Sequence, residues 1–245
     1  KSGGYLINFY VYKMKLSVVV PCYNEEKNIP LILQKFDNII KSNDIELILV
    51  NNGSTDNSEN VIKKLLPKYS FARSVKIEIN EGYGHGIVFG LNSSSSEYVC
   101  YTHADLQTDP MDVLRAFDII KKSSNPENCF IKGNRKGRGF FDQFFTIGMS
   151  IYETLYLGKN LWDINAQPNL FHRSFLKSLN NLPKDFSLDL YFLFMAKKKK
   201  LNVIRFDVTF PPRIYGLSSW NDGLYSRWKF IKRTIIFSSK LKKEL

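Results

Sequence analysis

The segment 16–50, LSVVVPCYNEEKNIPLILQKFDNIIKSNDIELILV, is the most informative part of this chain about its fold. It opens with a β-branched apolar run at 16–21 and closes with a second apolar run at 45–50, and the residues at 28–40 between them are typical of a helix. Both runs are continuously apolar, which indicates strands that are buried on both faces. The segment therefore predicts a strand, a helix and a second strand of a parallel sheet.

The same alternation of strand and helix continues through the first half of the chain. Regular alternation of this kind predicts an α/β fold with a mostly parallel central sheet flanked by helices on both faces. The further predicted strands are 75–79, 98–102, 129–133 and 202–210. The further predicted helices are 58–66, 84–92, 111–122, 140–162, 188–199 and 225–237.

The composition predicts one folded domain with an added end. Hydrophobic residues make up 44% and charged residues 24% of the chain, which is ordinary for a globular protein and excludes wholesale disorder. No apolar run approaches the roughly 20 residues that span a bilayer. We expect 1–13 to be an artificial or upstream extension, 14–220 to form the main domain, and 221–245 to form a basic amphipathic segment.

The net charge of +12 is concentrated near the C-terminal end, where residues 197–245 contain 13 Lys and Arg against 3 Asp and Glu. A basic end favours an anionic neighbour, which by charge alone is a phosphate, a nucleic acid or a lipid surface. The three cysteines are far apart in the sequence, form no metal-binding pair and are expected to be small buried hydrophobes. This cysteine usage favours a reducing cytoplasm.

Polar loops follow the first four predicted strands, and such loops are where open parallel sheets bind ligands. Taken singly, each loop has a purely structural interpretation: 51–54 is a good tight turn, Ser54 or Asp56 a good helix cap, and the glycines at 82–86 lack the spacing of a dinucleotide loop. Four such loops at one edge nevertheless predict a ligand site. They are 21–26 (PCYNEE), 51–56 (NNGSTD), 80–86 (NEGYGHG) and 103–110 (HADLQTDP).

Asp105 is the strongest candidate for chemistry. It follows a buried strand, and together with Gln107 it is expected to present two oxygen ligands along one extended segment. Hard divalent cations such as Mn²⁺ or Mg²⁺ prefer oxygen ligands and complete their coordination with phosphate and water. A cation here would act as a Lewis acid on a nucleotide diphosphate leaving group.

The four loops in this order resemble the family-2 glycosyltransferases of the GT-A fold. The similarity rests on VVVPCYNEEKNIP, LILVNNGSTDNS, INEGYGHGIVFGLNSSSSEYV and THADLQTDP, and extends over about 16–220. It is strongest toward the branch that makes polyprenyl-phosphate sugars, such as dolichol-phosphate mannose synthases. The resemblance implies a metal-dependent inverting transfer of a sugar from a UDP- or GDP-linked donor.

The resemblance also implies roles for individual residues. It assigns Asp105, Gln107 and His103 to the metal, and Arg213, with Gly216 and Ser218, to an element that grips phosphate. Asp105 and Asp189 are the implied catalytic carboxylates, Asp189 lying where such enzymes keep an acidic residue near the acceptor, although a solvated helix carboxylate is an equal interpretation. The remaining residues implied to bind the donor are Pro21, Tyr23, Glu25, Asn52, Asp56, Gly84, His103, Ala104 and Arg135.

Two positions depart from the family pattern. His103 stands where the first Asp of the metal segment is usual, and because imidazole suits Mn²⁺ better than Mg²⁺, either the metal preference shifts or Asp105 holds the ion nearly alone. Asn51 and Asn52 stand where two Asp are common, so the base differs or is read differently. Neither departure removes the essential carboxylate.

The sequence leaves the acceptor open between a polyprenyl phosphate and a polysaccharide hydroxyl, and a nucleic-acid partner is a remote third alternative. A polyprenyl phosphate needs no general base, whereas the hydroxyl of a growing polysaccharide does.

The C-terminal segment favours peripheral contact with an anionic membrane at the inner face of the cell membrane. One helical face there, surrounded by basic residues, contains Leu224, Trp228, Ile231 and Ile235, and the segment 140–162 is rich in aromatics. Core or oligomer contacts also fit these stripes. A nucleic-acid-binding module is the remote alternative, and we expect no nucleic acid because it leaves the four polar loops unexplained.

Overall fold

The computed structural model describes residues 14–137, 139–211, 213, 215 and 224–243. Its strands are β1 (Leu16–Cys22), β2 (Ile45–Asn52), β3 (Ala72–Ile77), β4 (Tyr98–Tyr101), β5 (Cys129–Lys136), β6 (Asn169–His172) and β7 (Asn202–Thr209). Its helices are α1 (Asn28–Ile39), α2 (Ser58–Leu65), α3 (Tyr83–Ser93), α4 (Pro110–Lys121), α5 (Phe140–Leu157), α6 (Arg173–Lys177), α7 (Ser187–Lys198) and α8 (Leu224–Lys243).

The seven strands form one sheet in the order β3-β2-β1-β4-β6-β5-β7. β1 pairs in parallel with both β2 and β4, and β2 pairs in parallel with β3, so the carboxyl ends of these four strands lie at one edge. β6 is antiparallel to its neighbours β4 and β5. The expected mostly parallel sheet is confirmed, and the antiparallel β6 is a feature that the alternation of strand and helix did not predict.

Helices cover both faces of the sheet, as expected. Val18 and Val20 of β1 pack in a core with α1, α2 and α4, whereas Val19 between them packs in a second core with α3, α6 and α7. Successive side chains of a strand point to opposite faces, so a strand that contributes to two cores must be apolar throughout. Cys22, Cys100 and Cys129 are free and buried in the first of these cores, which confirms their predicted role.

Several predicted element boundaries shift in the structure. β3 was predicted to start at Val75 but runs from Ala72, and Ile79, predicted inside it, lies beyond its end and is 75% exposed. α5 ends before the predicted 162, because Gly158 takes a left-handed backbone with φ 66° that terminates the helix. The predicted extension at 1–13, and Gly216 and Ser218, lie outside the described residues. Within the described residues, none of the helices combines the length and the apolar composition that a membrane span requires.

The long helices α5 and α8 pack against each other through a buried carboxyl group. Glu153 is fully buried, and both of its carboxyl oxygens lie 2.7 Å from Ser238 Oγ. Ser238 Oγ also lies 2.9 Å from the carbonyl oxygen of Thr234. A hydroxyl has one hydrogen, so the arrangement is satisfied when Ser238 donates to Thr234 and a protonated Glu153 donates to Ser238. Burial raises the pKa of Glu153 from 4.5 to about 7, which favours that protonated form.

Glu153 is expected to make the stability of the fold depend on pH. Its folded pKa lies above its ordinary value, so the folded state holds an extra proton between the two values and its stabilising contribution is lost as the pH rises through about 7. We expect the free energy of unfolding of the wild type, measured with urea, to fall relative to that of Glu153→Gln by up to about 3 kcal/mol between about pH 5 and about pH 8. Glu127→Gln, an exposed control, is expected to follow the wild type; equal pH slopes in all three proteins would contradict the assignment.

Candidate donor and metal site

The loops after β1 and β2 are joined by hydrogen bonds from one asparagine. Asn24 Oδ1 accepts from the backbone N–H groups of Thr55 at 2.8 Å and Asp56 at 3.3 Å, and the Asn24 N–H donates to Ser54 Oγ at 3.1 Å. Asn24 has a positive φ of 56°, a conformation in which asparagine is several-fold enriched. The two predicted donor-binding loops are therefore joined into one hydrogen-bonded unit.

Asp56 has both of its oxygens engaged in this unit. Oδ1 accepts from the Ser58 N–H at 2.9 Å, at the start of α2, and Oδ2 accepts from the Glu26 N–H at 3.2 Å. The structural interpretation of Asp56 as a helix cap is therefore supported by its contacts, and its predicted contact with the donor stays a prediction. Pro21 pairs with Val50 and Cys22 ends the paired part of β1, and Tyr23, which follows the strand, is 47% exposed.

Glu25 connects this unit electrostatically to the loop after β4. Its side chain is partly buried and accepts a hydrogen bond from Asn28 Nδ2 at 2.6 Å. Burial raises the pKa of Glu25, and the negative charge of Asp105 raises it further against the opposing effects of Asn28 and Arg213. The charge of Asp105, a predicted metal ligand, therefore affects the pKa of Glu25, which is predicted to bind the nucleoside.

Asp105 and Gln107 are bridged by a single guanidinium group. Arg213 Nη2 lies 3.0 Å from Asp105 Oδ2, and Arg213 Nε donates to Gln107 Oε1 at 3.1 Å. The expected extended segment was wrong: Leu106 is left-handed at φ 57°, and the resulting turn lets the Gln107 N–H donate to Asp105 Oδ1 at 3.1 Å. Such a conformation is a genuine outlier for leucine, and its buried side chain anchors it.

These oxygen atoms fit a divalent cation, since in the structure they already face a cation, the Arg213 guanidinium. Asp105 is only 6% exposed and would be costly to bury as an unpaired charge. Within the part of the chain that is described, no group of three His, Cys, Asp or Glu side chains could hold a metal ion. A cation at Asp105 and Gln107 would therefore take its other ligands from a bound diphosphate, from water or from His103.

His103 lies under an aromatic stack. Its ring stacks on Tyr83 with centroids 5.4 Å apart, and Tyr83 stacks on Phe186 at 4.5 Å. Burial lowers the pKa of His103, although the carboxylates of Asp105 and Asp189 oppose the shift. A neutral imidazole is the form that ligates metals. Ala104, next in the chain, is buried in the core under α1 and α4.

Asn52 is held so that it resembles an aspartate. Its Nδ2 donates to the carbonyl oxygen of Gly82 at 3.1 Å, and its buried Oδ1 has no hydrogen-bond partner in the structure as described. A Cβ on Gly86 would come within 2.9 Å of the same amide, so Gly86 keeps room for it. With the amide N–H₂ engaged, Asn52 offers an acceptor oxygen, the polarity that the more usual Asp would offer to a base.

The glycines before and within α3 have a packing role. Gly82 has φ 129°, and a Cβ there would lie 2.4 Å from the carbonyl oxygen of Lys184. A Cβ on Gly84 would lie 2.4 Å from the carbonyl oxygen of Pro183. The loop between α6 and α7 therefore crosses the start of α3 at backbone contact distance. The predicted donor contact of Gly84 stays a prediction.

Asp189 lies in a buried polar network that sequence reasoning missed. Asp189 Oδ1 accepts from Tyr101 OH at 2.7 Å and from Gln167 Nε2 at 3.1 Å, and Asp189 is only 1% exposed, which excludes the solvated helix carboxylate. Behind it, Lys132 Nζ donates to Asn169 Oδ1 at 2.7 Å, and burial lowers the pKa of Lys132 to about 7. A lysine inside the apolar run CFIKG was the sequence signal for this network.

Arg135 forms a buried ion pair with Asp163. Its backbone N–H donates to Asp163 Oδ2 at 2.8 Å and its Nε to Oδ1 at 2.9 Å. Burial acts to raise the pKa of Asp163, but the Arg135 charge and hydrogen bonds lower it overall. Arg135 also lies over the ring of Phe210, with its Cζ 5.3 Å from the centroid. The predicted contact of Arg135 with the donor stays a prediction.

The chain belongs to the glycosyl transferase family 2, whose pattern matches residues 17–179. It is 27% identical over 171 residues to an undecaprenyl-phosphate 4-deoxy-4-formamido-L-arabinose transferase of Serratia proteamaculans, covering 68% of this chain and 52% of that protein. It is 26% identical over 124 residues to a dolichol-phosphate mannosyltransferase of Pyrococcus furiosus, covering 50% of this chain and 35% of that protein. The chain thus spans about half the length of the first relative and about a third of the second.

Solved structures share the fold. Glucosyl-3-phosphoglycerate synthase from Mycobacterium tuberculosis, in complex with Mn²⁺, UDP and glucosyl-3-phosphoglycerate, has a TM-score of 0.70 at 19% identity, covering 92% of this chain and 80% of that one. The same enzyme with Mg²⁺ and UDP has a TM-score of 0.68 at 17% identity, covering 92% and 79%. These similarities confirm the predicted GT-A architecture of the sheet and its flanking helices.

Proposed function

We propose that this chain transfers a sugar from a nucleotide-sugar donor to a polyprenyl phosphate, with inversion at the anomeric carbon. The observation that carries the proposal is the cation-binding arrangement of Asp105 and Gln107 at the tip of β4, next to the joined loops of β1 and β2. Membership of the glycosyl transferase family 2 supports the reaction class. The Serratia and Pyrococcus relatives are named for undecaprenyl phosphate and dolichol phosphate, which supports a polyprenyl phosphate as the acceptor.

The donor is proposed to lie across the four strand ends. Its base is proposed to lie beside Asn52, whose buried Oδ1 would accept from an N–H on the base edge once the side chain turns toward the ligand, with Pro21, Tyr23 and Glu25 lining the same pocket. Uracil and guanine both carry such an N–H group, and the UDP bound in the M. tuberculosis enzyme favours a uridine donor.

The diphosphate is proposed to lie against Asp105 and Gln107 through Mn²⁺ or Mg²⁺. A cation bound there would neutralise the charge on the leaving diphosphate. Arg213, which faces Asp105 in this structure, is the residue that we assign to a phosphate group when donor and metal are present. We assign His103 and Arg135 to the same part of the site.

The acceptor oxygen of a polyprenyl phosphate is already anionic near neutral pH, so it needs no general base. Asp189 would then orient its neighbours Tyr101 and Gln167. Transfer to a polysaccharide hydroxyl would instead require Asp189 as the base. The buried Oδ2 of Asp189 has no hydrogen-bond partner in the described structure, and this observation supports the second candidate.

A donor screen tests the proposal. The protein is incubated with UDP- and GDP-linked sugars, Mn²⁺ and polyprenyl phosphate, and nucleotide release and the sugar label in the organic phase are both measured. The proposal predicts release with one donor and label in the organic phase. Release with label only in a polysaccharide acceptor, added in a parallel incubation, would favour the hydroxyl acceptor, and no release from any donor would contradict the proposal.

We further propose that α5 and α8 make peripheral contact with an anionic membrane surface, where a lipid acceptor is available. Phe144, Ile151 and Leu155 of α5 are seven and four residues apart, lie on one helical face, and are 66%, 51% and 79% exposed. Trp228 of α8 is 61% exposed, and exposed lysines follow along the same helix at 229, 232, 240, 242 and 243. Apolar residues beside lysines are typical of interfacial helices, and the anionic inner leaflet would attract them.

Leu155→Ser is expected to weaken binding to vesicles of phosphatidylglycerol by about tenfold, because one leucine side chain is no longer transferred into the lipid. The measurement is co-sedimentation with vesicles at low salt. Ile79→Ser is the control, since Ile79 is 75% exposed but belongs to neither helix. Equal binding by both variants would contradict the proposed membrane surface.

A further inference from the structure

The loop at 183–186, between α6 and α7, contacts the candidate site directly. The carbonyl oxygen of Lys184 accepts from the His85 N–H at 2.9 Å, in the first turn of α3. The Phe186 ring stacks on Tyr83 with planes 11° apart, and Tyr83 stacks in turn on His103. The loop therefore supports the residue that lies two positions before Asp105.

The same loop orients the surroundings of Asp189. Asp185 Oδ1 accepts from the Ser187 N–H at 2.9 Å, at the start of α7, the helix that carries Asp189. Tyr83 OH accepts from Gln167 Nε2 at 3.1 Å, and this amide also donates to Asp189 Oδ1 at 3.1 Å. Movement of the loop would thus disturb both His103 and the network around Asp189.

On its other side, the loop contacts the C-terminal helix. Arg233 of α8 has its Cζ 5.3 Å from the centre of the Phe186 ring and its Nε 3.2 Å from Asp185 Oδ2. The ring is therefore contacted by the Arg233 guanidinium as well as by Tyr83. The ion pair is about one-third exposed, so its contribution lies in orientation more than in stability.

We infer that Arg233 and Phe186 are positioning residues for the transfer, a role that rests on the proposed function. Arg233 holds the loop at 183–186, and Phe186 holds Tyr83 against His103, so that α8 sets the geometry beside Asp105. From the sequence, Arg233 was only one basic residue of the predicted amphipathic segment 221–245. In this assignment the guanidinium faces inward and acts on the site.

Arg233→Met tests the inference, since it keeps an unbranched side chain and removes the guanidinium. Lys232→Met is the matched control, because it removes the same charge from the adjacent, exposed position of α8. Hydrogen exchange of the His85 amide, which needs no ligand, is expected to rise about fivefold or more in Arg233→Met only. In the transfer assay kcat is expected to fall by about five- to tenfold in Arg233→Met and to stay at the wild-type value in Lys232→Met.

Two further variants separate positioning from a loss of fold. Arg233→Lys retains a cation beside Asp185 and Phe186 and is expected to restore most of the kcat. Phe186→Leu is expected to reproduce Arg233→Met, and the double variant to lose little more than either single one. Equal His85 exchange in Arg233→Met and Lys232→Met would overturn the inference. If the wild type transferred no sugar, the proposed function would fail, while the exchange measurement would still decide whether α8 controls this loop.

Discussion

Asp105→Asn is expected to lower sugar transfer by about a thousandfold or more while the protein stays folded. The substitution keeps the shape of the side chain but removes the negative charge that would hold the divalent cation at the tip of β4. Binding of Mn²⁺ should be lost in parallel. The measurements are nucleotide release with the donor identified in the screen and calorimetric titration with Mn²⁺.

Asp109→Asn is the matched control in the same loop. Asp109 Oδ1 accepts from the Met111 N–H at 2.9 Å and caps α4, and asparagine caps a helix equally well. This variant should therefore keep the activity and melting temperature of the wild type. Wild-type turnover in Asp105→Asn, or full wild-type activity in excess chelator, would remove the metal role from Asp105.

Arg213→Met is expected to have two opposite effects. Transfer should fall by about a hundredfold, because a phosphate group loses its charged partner. Binding of Mn²⁺ in the absence of nucleotide should become stronger by about tenfold, because the guanidinium that faces Asp105 and Gln107 no longer competes for them. Calorimetric titration of the nucleotide-free protein with Mn²⁺ measures the second effect independently of activity.

The matched control for this variant is Arg115→Met, which removes an arginine paired with Asp112 on α4. It should leave both transfer and Mn²⁺ affinity unchanged. Weaker Mn²⁺ binding in Arg213→Met would show that Arg213 assists the metal instead of competing with it. Unchanged transfer would withdraw Arg213 from the phosphate site.

The sequence predicted the sheet because its strands are short apolar runs separated by helical patterns. It could not predict that β6 is antiparallel, since β6 is a four-residue strand whose direction depends on pairing with β4 and β5. Convergence of the four polar loops followed from parallel topology alone. The cross-links between these loops, such as Asn24 to Thr55, depend on distances that no local pattern carries.

The individual contacts of the site were less predictable than its location. Asp105 and Gln107 were placed correctly at the end of β4, but the left-handed turn at Leu106 was not, because leucine rarely adopts that conformation. The glycines at 82–86 belong to a loop that the sequence assigned to the ligand site, whereas the structure packs the backbone of 183–185 against Gly82 and Gly84. Gln167 and Phe186 approach the site from distant parts of the chain, and sequence spacing gives no signal for such contacts.

We propose above that a divalent cation at Asp105 holds the diphosphate of a nucleotide sugar. Anomalous diffraction from a crystal grown with Mn²⁺ and UDP tests it most directly. We expect a manganese peak in ligand contact with Asp105 and with the diphosphate, and the base beside Asn52. Manganese and nucleotide bound at another place, or no manganese peak with nucleotide bound, would contradict it.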